Sequence, residues 1–220
     1  MIQALLFDFD GLLMDTESPE VEIWRQIYAD HGADFPLATW IERVVGSTDD
    51  NFDPARHLAE LTGEPLDPPA IRQQARRLRL EVQARLPALP GAREMIVAAA
   101  RLNLHQAIVS SSPHWWVDGY LKQLEITSFF EHVICREDAA RVKPAPDLYL
   151  KAVERLHLLP GECLAFEDSP NGVRAAQEAG LRVVGVPNPI TAHAGALPAD
   201  LRLGSLNEMS LEEILDHFDH

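Results

Sequence analysis

Apolar and polar positions divide this chain into two textures. An unbroken apolar run, Ile2 to Phe7, reads as a strand buried on both faces, the habit of a parallel sheet. From Glu17 to about Leu86 only helical spacing follows. Val21, Trp24, Ile27 and Tyr28 mark one face of a first helix, with Ser18 as N-cap, Pro19 at its first position and His31-Gly32 as its stop. Further helices are predicted near 37–45, 53–62 and 68–86. Pro87-Ala-Leu-Pro90-Gly91 then breaks the helical texture and forms the clearest domain boundary in the chain.

Beyond that boundary, helix and strand alternate. The pattern predicts helices near 91–102, 113–124, 146–158, 170–179 and 210–217. Strands are predicted at Leu104–Ser110, His132–Cys135, Cys163–Phe166, Arg182–Val186 and, weakly, Leu201–Leu203. Repeated β-α units imply an α/β fold, a doubly wound parallel sheet with right-handed crossovers and helices on both faces. The first strand belongs to that sheet, so 1–15 and 87–220 form one core domain, and 16–86 is an all-helical insertion.

Composition narrows the function classes. With 19 basic against 34 acidic residues the formal charge is −15, which argues against general binding to nucleic acid or an anionic membrane. Any anion site must therefore be local and strong. Cys135 and Cys163 fall in predicted strands without metal-ligand spacing and read as buried thiols of a reducing cytoplasm. The chain runs straight into a core strand, so no signal peptide is expected, and it holds no apolar run of membrane-spanning length.

Ligands of open α/β sheets bind beyond the carboxyl ends of the strands, so each strand end is a candidate. The first delivers Asp8-Phe9-Asp10-Gly11, with Asp8 and Asp10 on one face. Two such carboxylates suit a hard divalent cation such as Mg²⁺, although the same pattern also ends a strand in a plain turn. The strand ending at Val109 delivers Ser110-Ser111-Ser112-Pro113, hydroxyls and N–H groups suited to an anion, with Ser112 as N-cap. Lys143-Pro144 stands ahead of a helix, where the dipole disfavours a cation, which points to a phosphate partner. The strand ending at Phe166 delivers Glu167-Asp168-Ser169-Pro170-Asn171-Gly172, and acids converging with Asp8 and Asp10 call for a divalent cation.

In their order and spacing these four segments resemble the haloacid dehalogenase-like hydrolase superfamily, over essentially the whole chain. The helical insertion after the first motif resembles the cap of its phosphoglycolate phosphatase, sugar phosphatase and β-phosphoglucomutase branch. The resemblance implies a Rossmann-like core and a Mg²⁺-dependent phosphatase acting on a small phosphorylated metabolite. It implies Asp8 as nucleophile and Asp10 as acid and base, with Ser110, Ser111 and Lys143 on the phosphoryl group. It also implies Mg²⁺ held by Asp8, the Asp10 backbone carbonyl and Asp168, with Glu167 as ligand or water partner.

The mutase branch carries a histidine on the first cap helix and a basic pair at the cap's glycine turn. Here those places hold Glu20 and Val44-Val45-Gly46-Ser47-Thr48, so hydrolysis is expected over phosphomutase activity or bare phosphate binding. Glu20, Ser47 and Thr48 are candidates for substrate hydroxyls, and equally for plain cap surface. Arg72, Arg76, Arg77, Arg79 and Arg85 read as a solvated helix face or a basic wall toward an anion. His114, Trp115 and Trp116 are candidate pocket walls, with at least one tryptophan in the core. The other histidines are expected at the surface, and the protein to be a monomer or weak dimer.

Overall fold

Phe7 stacks on Phe166, ring centroids 5.1 Å apart, and meets Phe130 edge-on at 6.2 Å, fixing the middle of a parallel sheet. Full burial of such a ring stabilises by roughly 2–3 kcal/mol. The computed structural model describes residues 1–45, 52–83 and 86–218. The sheet comprises β1 (Ala4–Phe7), β2 (His105–Val109), β3 (His132–Ile134), β4 (Cys163–Glu167), β5 (Arg182–Gly185) and β6 (Leu201–Arg202). Their spatial order is β3-β2-β1-β4-β5-β6, all pairs parallel, with Phe7 opposite both Ile108 and Phe166.

Side-chain alternation sends Leu5, Phe7, Ile108, Leu164 and Phe166 to one face, under α5 (Ala92–Arg101), α6 (His114–Gln123) and α9 (Leu211–Phe218). Ala4, Leu6, Ala107, Val109, Cys163 and Ala165 face the other side, under α7 (Asp147–Leu156) and α8 (Pro170–Glu178). Both faces are covered, which is why the strands are apolar runs rather than alternating ones. The chain leaves β1 toward β2 and β3, then crosses back to place β4 along β1's other edge. The reversal of strand order therefore falls between β1 and β4.

Between β1 and α5 lie α1 (Glu17–Asp30), α2 (Leu37–Arg43), α3 (Pro54–Thr62) and α4 (Pro68–Gln83). They bury their own apolar cluster, including Val21, Trp24, Tyr28, Trp40, Leu58 and Ile71, and one residue from beyond β5, Ile190, joins it. Cys135 and Cys163 are buried free thiols. Among the described residues no helix is long and apolar enough to cross a membrane.

Two expected helix starts are displaced. The N-cap of α1 is Thr16, not Ser18, and the Ser18 N–H donates to the Asp15 carboxylate at 2.9 Å. Pro19 is tolerated inside the first turn because those N–H groups have no intrahelical acceptor. Likewise Pro113, not Ser112, precedes α6, because the Ser112 hydroxyl is committed to the Asp10 carboxylate at 2.6 Å.

Candidate active site

The end of β1 and the end of β4 place three carboxylates together. One oxygen from each of Asp8, Glu167 and Asp168 lies within 4.8 Å of the others, and all three residues are buried. Gly11 lets the chain turn away from β1 here. Its φ of +81° suits glycine, and a Cβ there would stand 2.4 Å from the Asp168 carboxylate and from the Asn188 amide. Gly172 serves the same end in α8, since a Cβ would sit 1.8 Å from Glu167 Oε2.

Lys143 reaches into this cluster, only 1% exposed. Its ammonium donates to Asp8 Oδ1 at 2.5 Å, to Glu167 Oε1 at 2.6 Å and to the Val109 carbonyl at 2.7 Å. Three residues separate it from α7, so its charge is answered by these acceptors rather than set against the helix dipole. This geometry replaces the dipole argument that singled Lys143 out of the sequence. Tyr149 donates from its hydroxyl to Glu167 Oε1 at 2.5 Å, while Glu167 Oε2 is buried with no partner among the described residues.

Burial pushes Asp8 up, to about 8, and Glu167 and Asp10 add to the rise against the opposing Lys143 ammonium. Asp168 is raised well above the carboxylate range by burial, then by Glu17, Asp8 and Glu167. Burial alone would lower Lys143, but Asp8 and Glu167 overcome it and raise it. Clustered hard oxygen donors, carboxylates reluctant to ionise and one orphaned oxygen together fit a divalent cation.

Asp10 points elsewhere. Its carboxylate lies outside the cluster of three and accepts from Thr16 Oγ1 at 2.9 Å, Trp116 Nε1 at 2.8 Å and Ser112 Oγ at 2.6 Å. Ser110 Oγ stands 3.4 Å away on the same oxygen as Ser112. Asp8 and Asp10 still face one cavity of about 270 Å³, with Ser110, Ser111 and Ser112 on its wall and Glu17, Glu20, Trp40, Val44, Val45 and Arg79 from the inserted helices opposite.

The residues expected from the strand ends are therefore brought together, except that the Asp10 carboxylate stands outside the acidic cluster it was expected to join. The insertion is where the sequence reading needs correcting. Glu20 lines the cavity, but its carboxylate is committed: Oε1 accepts from Trp24 Nε1 at 2.9 Å and Oε2 pairs with Arg79 Nε at 2.9 Å without hydrogen-bond alignment. The acid left over is Glu17, whose buried Oε2 has no partner among the described residues. Burial raises Glu17 well above its usual range, as do Asp10 and Asp8.

Of the described arginines, Arg72, Arg76 and Arg77 are exposed as a solvated face would be, and Arg79 turns to the cavity. Arg85, Gly46, Ser47 and Thr48 lie outside the described residues. Trp116 is a cavity wall, Trp115 is 72% exposed and His114 pairs with Asp138 instead, at 2.7 Å. Glu17, Arg79, Trp116 and Asn188 carried no strand-end signal. Arg79 and Trp116 were candidates only by residue type, and Glu17 and Asn188 were not singled out.

A sequence profile of the family described as haloacid dehalogenase-like hydrolase matches residues 5–186. YhcW of Bacillus subtilis is 41% identical over all of this chain and 99% of its own length. The phosphorylated carbohydrates phosphatase of Thermotoga maritima is 28% identical, covering 98% of this chain and 97% of its own. Among solved structures, a haloacid dehalogenase family hydrolase from Deinococcus radiodurans, holding phosphate and sodium, aligns with TM-score 0.79. It is 27% identical over 99% of this chain and 96% of that one.

Proposed function

The chain belongs to the haloacid dehalogenase-like hydrolases, and from that premise we propose that it is a Mg²⁺-dependent phosphatase of small sugar phosphates or similar monoesters. One observation carries the reading: Asp8, Glu167 and Asp168 converge around the buried Lys143 at the strand reversal, and Asp8 opens with Asp10 onto one cavity. The phosphorylated carbohydrates phosphatase among the relatives supports the substrate class.

Asp8 is the nucleophile: its carboxylate oxygen attacks phosphorus, the ester bond breaks, and an aspartyl-phosphate forms. Asp10 gives its proton to the leaving alcohol, then takes one from the water that hydrolyses the intermediate. Trp116 and Thr16 hold the Asp10 carboxylate in place for both steps. Lys143, with Ser110 and Ser111, offsets the charge gathering on the phosphoryl oxygens. Asp8, Asp168 and the Asp10 backbone carbonyl would hold Mg²⁺, with Glu167 beside it. Bound there, Mg²⁺ supplies positive charge that steadies the phosphoryl group.

Residues 16–86 act as a cap over the 1–15 and 87–220 core, excluding water from the cavity. Glu17, rather than Glu20, is placed to accept hydrogen bonds from substrate hydroxyls. The paired state of Arg79 speaks against a second phosphate and so against the phosphomutase reading. The buried thiols Cys135 and Cys163 suit the reducing cytoplasm.

The test is phosphate release from sugar phosphates, phosphoglycolate, glycerol phosphates and nucleotides, with and without Mg²⁺. Release should require Mg²⁺ and vanish in Asp8→Asn. Interconversion of β-glucose-1-phosphate without release would favour the mutase, and silence on every ester would sink the hydrolase.

A further inference from the structure

Among the described residues, two contacts between the inserted helices and the core grow from the residues around Asp168. Asn171 lies in the first turn of α8, three positions beyond Asp168, and its side-chain Nδ2 donates to the Val45 carbonyl at 3.0 Å. Val45 follows α2, is 2% exposed and walls the active cavity. The second point is Ile190, 6% exposed within the apolar cluster of the inserted helices. It is presented by Asn188, whose Oδ1 accepts from the Ile190 N–H at 2.8 Å and the Thr191 N–H at 2.9 Å. The other end of the same side chain donates to Asp168 Oδ2 at 2.7 Å and faces the Gly11 carbonyl at 3.3 Å.

We propose that Asn171 and the Asn188–Ile190 turn form a two-point latch that docks α2 and its Val45 wall onto the core in register with Asp168. Asn171 is a positioning residue. It touches no reacting atom, but it sets where the cavity wall stands relative to Asp8 and Asp10. Since one latch arm is hydrogen-bonded to Asp168, anything that moves that carboxylate shifts the seat of Ile190. This inference rests on the phosphatase reading only for its kinetic arm.

The alternative is that Asn171 merely satisfies a loop carbonyl. Two readouts separate them. In hydrogen exchange on the metal-free protein, Asn171→Ala and, separately, Ile190→Ala should speed exchange in 38–45 and 188–194 while β1 and β4 keep wild-type protection. In kinetics, both variants should lose about tenfold in kcat/KM on a sugar phosphate and retain wild-type hydrolysis of acetyl phosphate, which is too small to need the wall. Unchanged exchange in both segments overturns the latch. So does faster exchange spread into the strands, or equal loss on both substrates. If the wild type hydrolysed no ester the phosphatase reading would fall, and the exchange pattern would still decide the latch.

Discussion

Lys143 and Glu167 form a fully buried ion pair, Nζ to Oε1 at 2.6 Å, with side chains 1% and 0% exposed. The same ammonium serves Asp8, so one cation answers two carboxyl groups at one buried point. Removing it leaves a buried carboxylate without its cation, and the loss of one partner of a buried pair costs about 3–5 kcal/mol. Lys143→Ala should lower metal-free stability by that order in urea unfolding and abolish turnover. Lys143→Arg keeps the charge but puts a planar fork where three converging bonds are made, and should recover stability without activity. Wild-type stability in Lys143→Ala would show the pair to be energetically idle.

The raised carboxylates fix a pH dependence. Asp8 has a folded pKa of about 8, above its unfolded 3.8, so the folded state keeps a proton that the unfolded state releases. Stability of the metal-free protein should therefore fall as pH climbs from near 4 toward about 8, and Asp168 and Glu17 act in the same direction. Each proton contributes at most about 1.4 kcal/mol per pH unit. Lys143, raised in the fold, stays charged in both states across that window and adds no slope. Urea unfolding in EDTA at pH 5 and pH 8 measures the fall. Mg²⁺ should close most of the gap at pH 8, and stability rising with pH in EDTA would refute the account.

Trp116 holds Asp10 through a single donor, Nε1 to Oδ1 at 2.8 Å, while its ring packs edge-on to Tyr120 with centroids 5.2 Å apart. Trp116→Phe keeps most of the apolar ring and deletes the donor. The expected result is a five- to tenfold lower kcat, about what one hydrogen bond contributes, with little change in KM or in the unfolding midpoint. A change confined to KM would assign Trp116 to substrate binding instead.

How far these residues could be read from the chain follows from what kind of signal each carries. The strand ends were legible because β1, β2 and β4 are buried on both faces, and the polar residues that stop their apolar runs can only stand at the sheet's edge. That logic placed Asp8, Ser110 and Glu167-Asp168 without any contact being known. Lys143 drew notice for its place ahead of a helix, but the three acceptors that account for it were not legible. The cavity's other wall was not legible in the same way. An amphipathic helix reveals which face is apolar but not which of its polar residues meets the core, so Glu17 and Glu20, both in the first turns of α1, look alike in sequence. What separates them is Arg79, 59 positions after Glu20, which arrives through the packing of α4 on α1. The helix start expected at Ser112 failed for a related reason: Asp10, outside the helix, takes its hydroxyl.

That pairing of Glu20 with Arg79 yields the sharpest test of substrate choice. Oε2 of Glu20 lies 2.9 Å from Arg79 Nε beside the cavity, and the Glu20 side chain is 15% exposed against 36% for Arg79. While the carboxylate is ionised, the guanidinium is neutralised and offers little to a second anionic group on the substrate. Glu20→Gln keeps the hydrogen bond from Trp24 and removes only the charge. Arg79 then becomes a net cation facing the pocket, where a guanidinium binds phosphate or carboxylate through paired donors. The variant should use sugar bisphosphates better than wild type, lowering their KM about five- to tenfold while leaving monophosphates close to unchanged. Glu17→Gln should do the opposite, weakening every polyol monophosphate and giving no gain on bisphosphates. Steady-state kinetics on matched mono- and bisphosphate pairs reads both variants. If Glu20→Gln impaired monophosphates as strongly as Glu17→Gln, the division of labour between the two acids would be wrong, and Glu20 would rejoin the substrate's binding partners.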